Sequence, residues 1–167
     1  MDALVAVENS LEVVTLQSKR SDLLQLVTFS LGNEEYAVDI LKVQEINRMK
    51  EITRVPSAPA YVEGVINLRG KVMPVIDLRN KFGLHAREND VHSRIMIMDI
   101  EGITMGLIVD AVSEVLRIPA SIVESPPMAF ETGTEFITGI AKLENRLIIL
   151  LDMDRLMGKS EVLPMIS

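Results

Sequence analysis

Gly64-Val-Ile-Asn-Leu-Arg-Gly-Lys-Val-Met-Pro-Val-Ile-Asp-Leu-Arg-Asn-Lys-Phe-Gly83 is the stretch whose reading decides the fold. Val65 and Ile66 begin an apolar strand, and Val72 to Ile76 return as a second strand rich in β-branched residues. Leu68-Arg69-Gly70-Lys71 between them reads as a tight turn, because Gly70 can take a positive φ without steric cost. Asp77 stands where a helix N-cap belongs and Gly83 where a C′ residue belongs. The spacing predicts one or two helical turns between them.

The same pattern returns from Gly139 to Gly158, displaced by a constant 75 positions (139 − 64). Leu68 corresponds to Leu143, Asp77 to Asp152 and Gly83 to Gly158. Asn145 stands for Gly70, and Asn is the next residue most tolerant of left-handed geometry. Further upstream, Val43-Gln-Glu45-Ile46 matches Val112-Ser-Glu114-Val115 at an offset of 69 (112 − 43), as Tyr36 to Ile40 matches Met105 to Val109. Strand, turn, strand, cap and stop recurring together argue for an internal repeat. The change of offset predicts a longer connector in the second copy, within Ser121 to Glu135, where Pro126, Pro127 and Gly133 lie.

Outward from the repeat, Leu23 to Leu31 and Glu35 to Ile40 form a hairpin turning at Gly32-Asn33, and Leu41 to Ile46 continues as strand. Val55-Pro-Ser-Ala-Pro59 is held extended or turned by its prolines. About five short strands and one short helix per copy predict a mainly β protein of two packed, barrel-like halves of the Greek-key or SH3-like kind. The reading divides the chain into a tail (1–21), a domain (22–158) and a C-terminal tail (159–167). Within the domain, half one spans about 22–83, a charged linker 84–92, and half two about 93–158. Halves this small are marginal alone, so a third apolar interface shared between them is expected.

Composition narrows the function. The 167 residues carry a formal net charge of −7, which disfavours nucleic acid and anionic membrane surfaces. There is no cysteine, consistent with a reducing compartment. The N-terminus has no basic segment before an apolar one, so a signal peptide is not expected, and no apolar run approaches the roughly 18 residues of a membrane span. The longest apolar run, Leu147 to Leu151, reads as a buried strand. The ten methionines are expected mainly in the core.

Catalytic constellations are hard to find. No glycine spacing suits a phosphate loop, and there is no nucleophile elbow and no cysteine nucleophile. His85 and His92 fall in the linker, where solvated, mobile side chains are expected rather than metal ligands. Asp77 and Asp152 are explained as helix caps rather than a catalytic dyad. The expectation is an interaction protein that is not an enzyme and needs no cofactor or metal. Glu45 and Glu114 interrupt apolar strands at matching places, and Arg69 at the first hairpin tip is replaced by Glu144 in the second. That charge reversal marks the copies as diverged, with one of them the binding copy.

Val43-Gln-Glu-Ile46, Val55-Pro-Ser-Ala-Pro59 and Gly64 to Gly70 with Val75-Ile-Asp-Leu-Arg79 closely resemble the CheW family of bacterial chemotaxis coupling proteins. The resemblance covers about residues 22–160. It implies two intertwined five-stranded SH3-like barrels around shared apolar cores. It implies a non-enzymatic scaffold coupling methyl-accepting chemoreceptors to the histidine kinase CheA, with the CheA regulatory domain and the cytoplasmic receptor tip as partners. The expected location is the cytoplasm, with recruitment to membrane-associated receptor arrays and no direct membrane insertion. By matching motif, Val43, Glu45 and Arg69 are candidates for a receptor surface in the groove between barrels, with Asn67 and Gly64 shaping it. No receiver domain follows, which argues against a CheV-type fusion. An adaptor of a paralogous chemosensory or pilus-motility pathway is the alternative. A metal-assisted hydrolase and a nucleic-acid-binding barrel are the readings from other classes.

Overall fold

The computed structural model describes residues 22–127 and 136–157. The strands of the first copy are β1 (Leu23–Leu31), β2 (Glu34–Asp39), β3 (Val43–Arg48), β4 (Val62–Leu68) and β5 (Lys71–Asp77), followed by α1 (Leu78–Lys81). The second copy supplies β6 (Arg94–Ile100), β7 (Ile103–Val109), β8 (Ala111–Pro119), the short β9 (Val123–Glu124), β10 (Ile137–Leu143) and β11 (Arg146–Leu151), with a helical turn over 153–157. Ile40–Lys42, expected as strand, forms a 3₁₀ turn, because Asp39 accepts the Leu41 N–H and bends the chain before β3. Both tails, Gly158 and most of the Ser121–Glu135 connector fall outside the described residues.

The strands make two barrel sheets. One has six strands in the order β8-β1-β2-β11-β10-β9, and the other has five in the order β3-β6-β7-β5-β4. Each sheet is therefore built from both copies: strands one and two of a copy pair with strands three, four and five of the other. The expected division at 84–92 is crossed by both sheets. Parallel pairs join the copies, Val75 opposite Gly106 in one sheet and Leu150 opposite Ala37 in the other. These are the same contact under the offsets 75 and 69. The β-bulges also repeat, between Val43 and Glu45 against β6 and between Thr28 and Phe29 against β8, where Glu114 faces Thr28.

Exchange explains why the first strand of each copy lacks a clean alternation. In β6, Ile95 and Ile97 fill the five-stranded barrel, whereas Met96 and Met98 face a core shared by both sheets. A strand buried on both faces reads as a continuous apolar run. The shared core also holds Phe29, Ile76, Leu78, Met105, Leu107, Met153 and Met157, so the expected third interface exists and takes much of the methionine. The run at 147–151 departs from expectation at one residue: Leu147 is exposed, because the period-two pleat turns it outward while Ile148 is buried.

The caps form as the sequence predicts. Asp77 accepts the N–H groups of Arg79 and Asn80 at 3.0 and 3.4 Å, and Asp152 accepts that of Arg155 at 3.2 Å. Beyond α1, the Leu84 N–H donates to the Arg79 carbonyl and the Gly83 N–H to that of Asn80, with Gly83 at φ +74°, a Schellman stop. The linker is exposed along its length, as expected, and is tied at several points. Arg79 Nε donates to the His85 carbonyl, Arg87 reaches Asp90 and Asp110, and Asp90 accepts the His92 N–H. Within this solvated run, Arg87 also reaches a partner on the folded barrels, Asp110.

Candidate functional site

The β4–β5 hairpin needs positive φ at both central positions, and Arg69 at +53° and Gly70 at +84° supply it. Asn67 Oδ1 accepts the Gly70 N–H at 2.9 Å and holds the turn from inside. The fixed turn carries the Arg69 side chain across the barrel seam to Glu45 on β3, where the two form an ion pair. The Arg69 side chain is 69% exposed and that of Glu45 29%. The guanidinium holds the Glu45 carboxyl below the usual carboxylate range, and the Asn47 side chain and the Lys50 charge add to the effect.

Gly64 serves the same seam from behind. A Cβ there would overlap the Thr53 carbonyl oxygen and sit 2.8 Å from Ile52 Cγ2, so only glycine lets β4 approach segment 52–53. That approach makes the isolated Thr53–Val65 bridge. Val43 is half-buried and packs on the shared core, so it sets the start of β3 rather than presenting a side chain outward. The structure thus brings Glu45 and Arg69 into contact, places Asn67 and Gly64 as their supports, and sets Val43 apart as a packing residue.

Asn47 was not singled out from the sequence. It lies two positions along β3 from Glu45, and its buried Nδ2 makes no hydrogen bond of full geometry, although its side chain lies close enough to Glu45 to help hold the carboxyl low. A buried donor without an acceptor is costly to keep. Period-two placement beside Glu45 was the only sequence signal for it.

The equivalent seam of the six-stranded barrel is closed differently. Glu114, the counterpart of Glu45, pairs with Arg146 at 2.8 Å, and the same guanidinium takes Glu35 at 2.6 Å. Arg146 corresponds to Lys71, not to Arg69 (146 − 71 = 75), and Glu144 occupies the tip with φ +28°. The left-handed turn residue is Glu144, where the sequence pointed to Asn145. Arg146 is held in its charged form by both carboxylates, whose hydrogen bonds raise its pKa.

Among the described residues no group of three or more His, Cys, Asp or Glu side chains could hold a metal ion, and no helix is long and apolar enough to cross a membrane. The model of the CheW-like domain matches residues 25–161. The chain is 38% identical over 139 residues to the chemotaxis protein CheW of Klebsiella aerogenes, covering 83% of this chain and 84% of that one. It is 36% identical over 145 residues to the chemotaxis protein CheW of Treponema pallidum, with 83% and 84% covered. The crystal structure of the scaffolding protein TtCheW from Thermoanaerobacter tengcongensis superposes with a TM-score of 0.76 at 42% identity, covering 83% of this chain and 94% of that chain.

Proposed function

This chain belongs to the CheW-like family of chemotaxis scaffold proteins, and from that premise we propose that it couples the cytoplasmic tip of methyl-accepting chemoreceptors to the regulatory domain of the histidine kinase CheA, catalysing no reaction itself. The working unit is residues 22–158, with 22–83 and 93–158 as its repeats. It acts in the cytoplasm and is recruited to receptor arrays.

The observation that carries the receptor half of this reading is the Glu45–Arg69 pair on the five-stranded seam. Arg69 is largely in water and joined to a single carboxylate, so a partner's acidic group can share it at little desolvation cost. Gly64, Asn67 and Val43 hold the frame that positions these groups.

Titration calorimetry tests both halves of the proposal. The parent protein is expected to bind a receptor-tip fragment and the CheA regulatory domain from the same organism. Glu45→Ala and Arg69→Ala are expected to weaken receptor binding about tenfold, roughly 1.4 kcal/mol, and to leave kinase binding unchanged. Failure of the parent to bind either partner overturns the chemotaxis coupling and directs the search to a paralogous pathway. Equal receptor binding by parent and variants removes this seam as the receptor surface.

A further inference from the structure

Two latches fasten the hairpins of this molecule, and their charges are reversed. In the first, Asp110 Oδ2 accepts the Gly32 N–H of the β1–β2 turn at 2.7 Å and pairs with Arg79 of α1 at 2.6 Å. In the second, Asp154 of the last helical turn accepts the Glu101 N–H of the β6–β7 turn at 3.1 Å and pairs with Lys42 at 3.0 Å. Glu101 is the counterpart of Gly32 (101 − 32 = 69), and Asp154 of Arg79 (154 − 79 = 75). Asp110 corresponds to Leu41, the neighbour of Lys42 (110 − 41 = 69). The helix carries the cation and the strand junction the anion in one latch. In the other the signs are exchanged.

Each ion pair joins different copies, Arg79 of the first to Asp110 of the second and Asp154 of the second to Lys42 of the first. The strand ladders make no such distinction. Their bulges and parallel registers are the same in both sheets, so like halves of two chains could form the same ladders. Like halves would not form the latches. Pairing two first copies would set Arg79 against Lys42, and pairing two second copies would set Asp154 against Asp110. The first of these clashes would fall at a site where Arg79 is now only 15% exposed and Asp110 10%. Like charges a few ångströms apart with little water repel strongly.

We propose that the charge-reversed latches are specificity determinants that make each half of this chain accept the other half and refuse the like half of a second copy. A repeat with exchanged strands gains from such a device, because its strand ladders alone cannot tell the other half from a like half.

The test swaps one latch at a time in the full chain. Arg87 also reaches Asp110, so parent and variants all carry Arg87→Gln. Arg79→Asp with Asp110→Lys then keeps an ion pair in both latches, since a carboxylate introduced on α1 can take the Gly32 N–H as Asp154 takes that of Glu101, but it gives the two latches the same polarity. Lys42→Asp with Asp154→Lys does so from the more exposed side, where Asp99 and Asp152 also act on position 42. Each protein is refolded from denaturant at high concentration, and the dimer fraction is read by light scattering beside thermal melting. Each folded double variant is expected to raise the dimer fraction about tenfold over the parent, and the quadruple variant, whose polarities again differ, to return it to the parent value. A double variant that folds and stays as monomeric as the parent overturns the proposal, as does a quadruple variant that dimerises like the doubles.

Discussion

The five-stranded and six-stranded barrels share one register and are filled differently. Ile97 in the five-stranded barrel corresponds to Thr28 in the other, and Ile66 to Ala141. The smaller set is backed by a buried hydroxyl: Thr28 Oγ1 donates to the Glu114 carbonyl and accepts its N–H, both at 3.2 Å, at the bulge. The seams differ in the same sense. The six-stranded barrel gains β9, which pairs with Ile140 and Ala141, and a three-membered Glu35–Arg146–Glu114 network. The five-stranded barrel keeps one isolated bridge and one exposed ion pair. Divergence has closed one seam with its own strand and left the other to a single bridge and an exposed ion pair.

Core substitutions give the widest separation between the barrels. Ile97→Ala is expected to cost about 4 kcal/mol in denaturant unfolding, as large-to-small changes in tight cores do. Thr28→Ala is expected to cost about 2 kcal/mol, the loss of two hydrogen bonds at the bulge. Equal costs would mean that the two cores are packed alike. The glycine pair sharpens the contrast at the seams. A Cβ on Gly64 meets backbone at Thr53, whereas one on Gly139 meets first the Val123 side chain and only then, at 3.2 Å, the Glu124 carbonyl. Gly64→Ala is expected to destabilise by about 3 kcal/mol and Gly139→Ala by about 1 kcal/mol, measured in the same way. The reverse order would show that β9 is the more rigid flank.

The smallest effect is in titration. Because the folded pKa of Glu45 is lowered, its contribution is present above the ordinary carboxylate range and fades as pH falls through the depressed value. The Glu45 carboxyl, followed by NMR, is therefore expected to titrate below a normal glutamate and to return toward normal in Arg69→Ala. A midpoint unmoved by that substitution would show that Arg69 does not hold Glu45 in solution.

Much of this architecture was legible because the repeat fixes local geometry. Gly83, Asp77 and the Leu68–Lys71 turn carry their conformational demands in their own residue types, so strands, stops and offsets follow from them. Which strand pairs with which did not follow. β5 and β11 have matching patterns, and nothing local in Val75 or Leu150 says that its partner lies in the other copy. That choice resides in contacts such as Arg79 with Asp110 and Lys42 with Asp154, far apart in sequence. Glu45 and Arg69 stood out as charges breaking an apolar pattern, but their contact is a seam closure between strands that are not neighbours in either sheet. Asn47 was hidden for the opposite reason, since a polar residue on an edge strand looks ordinary until its amide is found buried.

Strand exchange also governs when this protein can come into being. β2 is flanked in its sheet by β1, already made, and by β11, the last strand of the repeat. During synthesis from the N-terminus, the hairpin of β1 and β2 must wait for Ile148 to Leu150 before its sheet is complete. Contacts spanning so much of the chain belong to the slow, all-or-none end of small-domain folding. The first half thus leaves the ribosome as an unfinished surface: the five-stranded sheet is complete once β7 has emerged, whereas the six-stranded sheet waits for β11.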